Sequence, residues 1–266
     1  MALSRGCMVE NQLFNYLPTP YYLSRSMQTK LYFIRKSKTF FMRMRLHIIV
    51  EPFSGFLMNL VYLSKMSKWR AQTPSPKLND FYSSKWDYNK RYTIYDFLLK
   101  EERLEGPITY MEFGVASGKS FQWWVEHSKH PDSTFDGFDT FTGLPEAWNV
   151  FKAGAMSTGG ILPEINDNRA TFHKGLFQDT LPVHLKSFKP GARKVIHMDA
   201  DLYTSTLYVL TTVAPFLEKD DIIMFDEFTV PTHEFLAFTE FLASYYIKVE
   251  LIAAQNNYYF SAFKIV

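Results

Sequence analysis

Residues 110–120 have the sequence YMEFGVASGKS, and the stretch FQWWVEH follows them. The first letters predict a short apolar strand with Glu112 near its end. The next letters predict a glycine-rich turn that opens into a helix. This pattern is typical of the nucleoside- or phosphate-binding corner of a parallel α/β fold. Gly114 and Gly118 would let the backbone approach a ligand without a Cβ atom in the way.

Glu112 indicates which ligand this corner binds. Its carboxylate would repel a pyrophosphate, whereas it suits a ligand with hydroxyl donors or a positive charge. S-adenosylmethionine has an ammonium, a sulfonium and two ribose hydroxyls. We therefore expect S-adenosylmethionine to be the cofactor, bound by Glu112, Gly114, Gly118 and Ser120.

A P-loop that binds ATP or GTP is the alternative, because the turn ends in Gly118-Lys119-Ser120. The P-loop motif has four residues between its glycines, whereas this chain has three after Gly114. A shorter loop would not close the same ring of N–H groups around a phosphate. The spacing therefore favours the adenosyl ligand.

The composition is that of a globular protein. The chain has 266 residues, of which 47% are hydrophobic and 17% aromatic, so it can bury one sizeable core. Cys7 is the single cysteine of the sequence. This excludes an internal disulfide framework and a multi-cysteine zinc site. We expect a reducing compartment, the cytoplasm.

Charge is distributed unevenly along the chain. Residues 1–72 carry eleven Lys and Arg against two acids, whereas the remainder is acidic, with a net charge of −7. We predict a basic, helical extension and linker at 1–79 and a catalytic domain at 80–266. The extension would pack on a neighbouring subunit of a homo-oligomer or lie on an anionic membrane surface. Glu51, Pro52 and Gly55 interrupt the apolar run 46–63, so we predict no transmembrane span and favour the oligomer.

Short apolar runs alternate with helix-length patterns from Asp80 onward. This alternation predicts a Rossmann-like, mostly parallel sheet with crossover helices. The last two strands come without a helix between them and predict an antiparallel hairpin, as in class I methyltransferases. The predicted strands are 109–115, 134–138, 170–174, 194–199, 222–225, 248–253 and 258–265.

Ligands of such sheets bind at the carboxyl ends of the strands. Asp139 ends the second strand and would bind a ribose diol, while Phe177 and Gln178 follow the third strand, where an adenine would lie. Four carboxylates follow the next two strands: Asp199, Asp201, Asp226 and Glu227. Such a cluster needs a cation, shared protons or a wide water-filled cleft, and its oxygen ligands favour Mg²⁺. Asp199 is also expected to contact the cofactor.

Two residues are candidates for the base that removes a proton from the acceptor. Asp201 belongs to the carboxylate cluster, and His233 follows the fifth strand. His197 lies inside the fourth strand and is interpreted as a core residue.

Five blocks of the sequence resemble those of a known family in the same order: EFGVASGKS, GFDTFTGLPE, GLFQDTLP, HMDADLYTSTL and IIMFDEF. They are similar to the class I S-adenosylmethionine-dependent methyltransferases and, among these, to the macrocin O-methyltransferase family. The resemblance covers residues 90–266. It implies methyl transfer to a hydroxyl of a sugar or glycosylated small molecule, with Mg²⁺ held by Asp199, Asp226 and Glu227. The family more often has two aspartates where this chain has Asp226-Glu227.

The resemblance does not name the acceptor, whose choice would be set by the loop 142–168 and by Thr229–Glu234. A P-loop-type nucleotide-binding protein and a non-catalytic partner protein with the methyltransferase fold remain alternatives. A nucleic-acid substrate is disfavoured, because the body is acidic and carries no NPPY-like motif.

Overall fold

A computed structural model of the chain describes residues 24–148, 150–188 and 191–266. Cys7 and the other residues before 24 therefore lie outside the described part. The chain divides into two compact units, with the boundary between Gly55 and Phe56. The sequence placed its boundary later, at residues 79 and 80, and that division into an extension and a catalytic domain stays a prediction.

The described residues of the first unit, 24–55, are mostly helical. Helix α1 is Arg25–Arg43, α2 is His47–Val50, and a single 3₁₀ turn follows at Glu51–Phe53. Ser24 caps α1, since its hydroxyl accepts a hydrogen bond from the Met27 amide at 3.3 Å. No residue of α1 or α2 is buried. The predicted helical character is confirmed for these residues.

Helix α3, Ser54–Gln72, leads into the second unit. Near its end, Met66 and Trp69 pack against the core of that unit, and the Trp69 and Phe228 rings lie 5.1 Å apart. No single helix in the described residues is both long and apolar enough to cross a bilayer. Arg25–Arg43 together with His47–Gln72 meets the criterion of length and composition as a pair bent by 78°.

The second unit is built on an eight-stranded sheet with the order β1-β7-β8-β6-β5-β2-β3-β4. All neighbouring strands run parallel except β8, which is antiparallel to β6 and β7. The predicted fold, including its antiparallel hairpin, is confirmed, while β1 was not predicted. The strands are β1 Leu78–Asn79, β2 Ile108–Phe113, β3 Thr134–Asp139, β4 Ala170–Lys174, β5 Arg193–Met198, β6 Ile222–Phe225, β7 Val249–Gln255 and β8 Phe260–Ile265.

Helices cover both faces of the sheet, because side chains of a strand alternate between its faces. The helices of this unit after α3 are α4 Lys90–Glu101, α5 Lys119–His127, α6 Phe177–Ser187, α7 Tyr203–Val213 and α8 Glu234–Tyr245. Met111 and Phe113 of β2 belong to the core cluster that includes residues of α6, α7 and α8. Tyr110 belongs to the other cluster, with residues of α4 and α5.

The turn after β2 lies very close to the end of β5. A Cβ atom on Gly114 would lie 1.8 Å from the carbonyl oxygen of Asp199, and the φ angle of Gly114 is +98°. Glycine is therefore required there by the neighbouring strand as well as by the turn. This close packing brings the residues after β2 and β5 to one edge of the sheet.

Candidate functional site

A cavity of about 450 Å³ opens at the carboxyl ends of the parallel strands. Its size is within the range of small-molecule and cofactor sites. The sequence-predicted residues that line it are Gly114, Asp139, Phe177, Gln178, Asp199, Asp201 and Glu227. Part of the loop 142–168 also lines it, whereas no residue of Thr229–Glu234 does within the described chain.

Asp139 organises the two loops that border the cavity. One of its carboxylate oxygens accepts a hydrogen bond from the Ala116 amide at 2.8 Å, and the other accepts one from the Phe141 amide at 2.7 Å. Each oxygen has a second lone pair for a ligand hydroxyl. The position therefore suits the predicted contact with a ribose diol.

Glu112 and Ser120 lie behind the cavity wall. Glu112 is completely buried, and its carboxylate accepts hydrogen bonds from the Tyr110 hydroxyl and, at 2.6 Å, from the Ser120 hydroxyl. Glu112 shares the strand face of Tyr110 and does not line the cavity, so its direct contact with the ligand stays a prediction. The Ser120 hydroxyl is used inside the protein, which also argues against a P-loop.

Gly118 begins α5 from a left-handed conformation with φ +77°. A Cβ atom there would lie 2.7 Å from two atoms of the Pro163 ring. Gly118 does not line the cavity. Its small size therefore serves the packing of the loop 142–168 rather than a ligand contact.

Asp226 is held by two cationic partners. Its Oδ2 lies 2.6 Å from Arg91 Nη2, and its Oδ1 lies 3.1 Å from His197 Nε2. Burial opposes ionisation of Asp226, but the hydrogen bond with His197 and the charge of Arg91 outweigh it and lower the pKa of Asp226. Burial likewise opposes protonation of His197, yet Asp226 and Glu112 raise the pKa of His197 to about 9.

The other three carboxyl groups of the cluster behave in the opposite way. Burial and then the charge of Asp226 raise the pKa of Asp199 well above its ordinary value. Burial and the neighbouring Glu227 raise the pKa of Asp201 to about 8. Burial also raises the pKa of Glu227, although the Tyr259 hydroxyl donates a hydrogen bond to it at 2.5 Å. The carboxyl groups of Asp199, Asp201 and Glu227, which line the same cavity, therefore oppose one another's ionisation.

His233, the second candidate base, lies at the start of α8 and does not line the cavity. Its Nδ1 accepts a hydrogen bond from the Tyr203 amide at 3.3 Å, and burial lowers its pKa. His233 therefore caps a backbone group, and the structure places Asp201 alone of the two candidates against the cavity.

The predicted Mg²⁺ ligands fit a metal ion only in part. Asp199 and Glu227 line the cavity, whereas both oxygens of Asp226 already have partners. Within the described residues, one group of acidic and histidine side chains brings its possible ligand atoms within 4.8 Å of one another. It consists of Asp136, His173 and His184. That group lies on β3, β4 and α6, and the 2.7 Å contact between His173 and Asp136 explains it without a metal.

Several residues of the site escaped the sequence analysis. Tyr88 lines the cavity, and the guanidinium of Arg91 stacks 3.8 Å from its ring centre. Both precede β2, so no strand-end signal marks them. Glu146 of the loop 142–168 also lines the cavity, and it accepts a hydrogen bond from the Thr204 hydroxyl at 2.7 Å.

Comparisons with known proteins agree with this fold. A family model described as a methyltransferase domain matches residues 111–228. The structure of CalS11, a calicheamicin methyltransferase, is 21% identical over 77% of this chain and 91% of its own, with a TM-score of 0.51. The structure of the O-methyltransferase NovP is 17% identical over 79% of this chain and 98% of its own, also with a TM-score of 0.51. A comparison with curated proteins gives no match. The chain therefore carries a methyltransferase domain with the fold of the class I S-adenosylmethionine-dependent methyltransferases.

Proposed function

We propose that the protein transfers the methyl group of S-adenosylmethionine to a hydroxyl of a sugar or glycosylated small molecule. The observation that carries the proposal is that one cavity is lined both by Asp139, Phe177 and Gln178 and by the carboxylates Asp201 and Glu227. The first three suit the ribose and adenine of the donor. The carboxylates suit the acceptor and its proton.

S-adenosylmethionine supplies the methyl group when bound: the acceptor oxygen attacks the methyl carbon, the carbon–sulfur bond breaks, and S-adenosylhomocysteine leaves. The protein must align the two reactants and accept the hydroxyl proton. We assign the proton to the Asp201 carboxylate. Asp201 lines the cavity, whereas the other candidate base, His233, does not.

The choice of a polyhydroxylated acceptor has two supports. The first is the resemblance to the macrocin O-methyltransferase family. The second is the polar lining near the catalytic carboxylates, where Thr140, Glu146, Thr204 and Ser205 offer hydroxyl and carboxylate partners. The loop 142–168 would select among acceptors, because it contributes several lining residues.

Assistance by Mg²⁺ is part of the proposal. Asp199 and Glu227 would hold the ion, and its chemistry there would be to lower the pKa of a bound hydroxyl. The support is geometric: both carboxyl groups line the cavity, and Glu227 Oε2 has no hydrogen-bond partner among the described residues. Asp226 is left with Arg91 and is not assigned to the metal. The cytoplasm remains the predicted location of the reaction.

The proposal is tested by incubating the full chain with S-adenosylmethionine and a panel of glycosides, catechols, carboxylic acids and amines. We expect a product heavier by one methylene group, about 14 Da, with a glycoside acceptor and the release of S-adenosylhomocysteine. Faster methylation of another acceptor class would reject the sugar assignment. Tight ATP binding without adenosyl-ligand binding would reject the methyl transfer itself.

A further inference from the structure

Apolar side chains are unusually exposed on α1, α2 and the first half of α3. Phe33 is 65% exposed, Ile49 67% and Phe56 69%, and none of the three helices has a buried residue. Single exposed apolar residues are normal, but a contiguous set marks an interaction surface. These helices therefore lack the partner that would cover them.

The first half of α3 is apolar on all its sides. Phe56, Leu57, Met58, Leu60 and Val61 point in different directions around the helix axis, since each residue turns it by about 100°, and every one is exposed. A helix that is hydrophobic all round is buried in a protein core or in a membrane. The second half of α3 packs against the core of the second unit through Met66 and Trp69, whereas the apolar side chains of the first half are exposed.

The same segment is strongly basic. Residues 24–72 contain ten Lys and Arg and one acid, Glu51. The lysines of α1, which are Lys30, Lys36 and Lys38, are all exposed. Basic side chains beside exposed apolar ones are the signature of a helix that lies at a lipid surface. A second copy of the segment would instead oppose positive charge with positive charge.

We propose that residues 24–63 bind the surface of an anionic lipid bilayer. The apolar side chains would enter the boundary between headgroups and acyl chains, and the lysines and arginines would contact lipid phosphates. The apolar length agrees, because the bent pair of helices reaches the hydropathy of a membrane segment while neither helix does so alone. We prefer the lipid surface to the oligomer packing that the sequence suggested, because the exposed side chains of the segment are apolar as well as basic.

The experiment is flotation of the full-length chain with vesicles of phosphatidylcholine, with or without a third of phosphatidylserine. We expect binding to the anionic vesicles and little to the neutral ones. Binding should weaken in about 1 M salt, where the Debye length is only about 3 Å. A triple variant Lys30→Gln, Lys36→Gln, Lys38→Gln should bind roughly 100-fold more weakly, at about a fivefold loss per lysine.

The matched control is the triple variant Lys129→Gln, Lys186→Gln, Lys219→Gln, which removes three exposed lysines from the second unit. It should bind like the parent chain. A second variant, Ile48→Ser with Leu60→Ser, should lose the binding that survives in high salt. The lysine control and the Ile48→Ser, Leu60→Ser variant should both keep the thermal unfolding temperature of the parent.

Three results would overturn the proposal. Equal loss in the two lysine variants would mean that only overall charge matters. Binding that neither salt nor the α1 variant reduces would indicate an inserted span. An oligomer seen by light scattering that falls apart in the Ile48→Ser, Leu60→Ser variant, without vesicle binding by the parent, would identify a second copy as the occupant.

Discussion

Arg91 Nη2 lies 2.6 Å from Asp226 Oδ2, and the two side chains are only 7% and 3% exposed. Removing one member of a buried pair costs more than removing both, because the remaining charge keeps its desolvation penalty. We therefore expect Arg91→Met to lower the free energy of unfolding by about 3–5 kcal/mol. The double variant Arg91→Met, Asp226→Asn should recover part of that loss.

Urea unfolding of the parent, Arg91→Met, Asp226→Asn and the double variant measures the coupling. Arg43→Met, which alters an exposed arginine of α1, is the control and should stay within about 0.5 kcal/mol of the parent. Additive losses in the double variant would show that the two side chains do not stabilise each other.

Asp139 should be required for cofactor binding. Asp139→Ala removes an acceptor for ligand hydroxyls as well as the two amide contacts that order the neighbouring loops. We expect S-adenosylhomocysteine to bind about 10- to 100-fold more weakly in calorimetric titration. Asp132→Ala, an exposed acid, serves as the control, and equal affinities in the two variants would contradict the assignment.

Asp201 should act as the base and His233 should not. Asp201→Asn is expected to lower kcat by about 10²- to 10⁴-fold while the affinity for S-adenosylhomocysteine stays within about threefold. The backbone control is Asp220→Asn, because both aspartates have positive φ angles, +59° and +71°, and Asn tolerates that region. His233→Asn should leave kcat nearly unchanged, and a larger loss there than at Asp201 would exchange their roles.

Removal of divalent cations should reduce turnover. Chelation by EDTA followed by gel filtration is expected to lower activity at least tenfold, and added Mg²⁺ should restore it. Mg²⁺ should also raise the unfolding temperature of the parent more than that of Glu227→Gln. In the parent, the bound ion would offset the repulsion between Asp199 and Glu227. Full activity after chelation would remove Mg²⁺ from the mechanism.

Arg169 should anchor the region before β4. Its guanidinium donates to the carbonyls of Val125 in the last turn of α5, of Ser128 and His130 after that helix, and to the Asp167 carboxylate. Arg169→Met should lower the free energy of unfolding by about 3 kcal/mol in urea. Arg169→Lys should not restore it, because an ammonium cannot reproduce the planar set of donors.

The Asp167 partner adds a pH dependence. The hydrogen bond from Arg169 lowers the pKa of Asp167 from 3.8 to about 2. Its contribution to stability is therefore complete above about pH 4 and is lost as the pH falls toward 2. Between pH 5 and pH 3, the unfolding temperature of Asp167→Asn should fall less steeply than that of the parent. Asp132→Asn is the control.

The sequence predicted the sheet well, because apolar runs and crossover helices alternate along it. Asp139, Asp199 and Asp201 line the cavity, since strand ends of a parallel sheet meet at one edge, and their roles stay predictions. Glu112 lies behind the cavity wall instead, on the strand face of Tyr110, and no local pattern shows that depth.

Other features depend on contacts that no local pattern marks. Arg91 reaches Asp226 across more than a hundred residues of sequence, so its role emerges only in the folded chain. The two-residue strand β1 is too short to leave a signal of alternation. Asp226 is buried beside Arg91, and the sequence does not show this burial.

The position of β8 between β6 and β7 has a consequence for biosynthesis. Strand β1 pairs with β7, and β7 joins the rest of the sheet only through β8. The Asn79 amide therefore donates to the Tyr258 hydroxyl only after the 179 residues that separate them have been made. Such distant pairings form slowly. Until β8 has been synthesised, β6 offers an open edge, and chains that end before Phe260 should be more sensitive to proteases than the full chain.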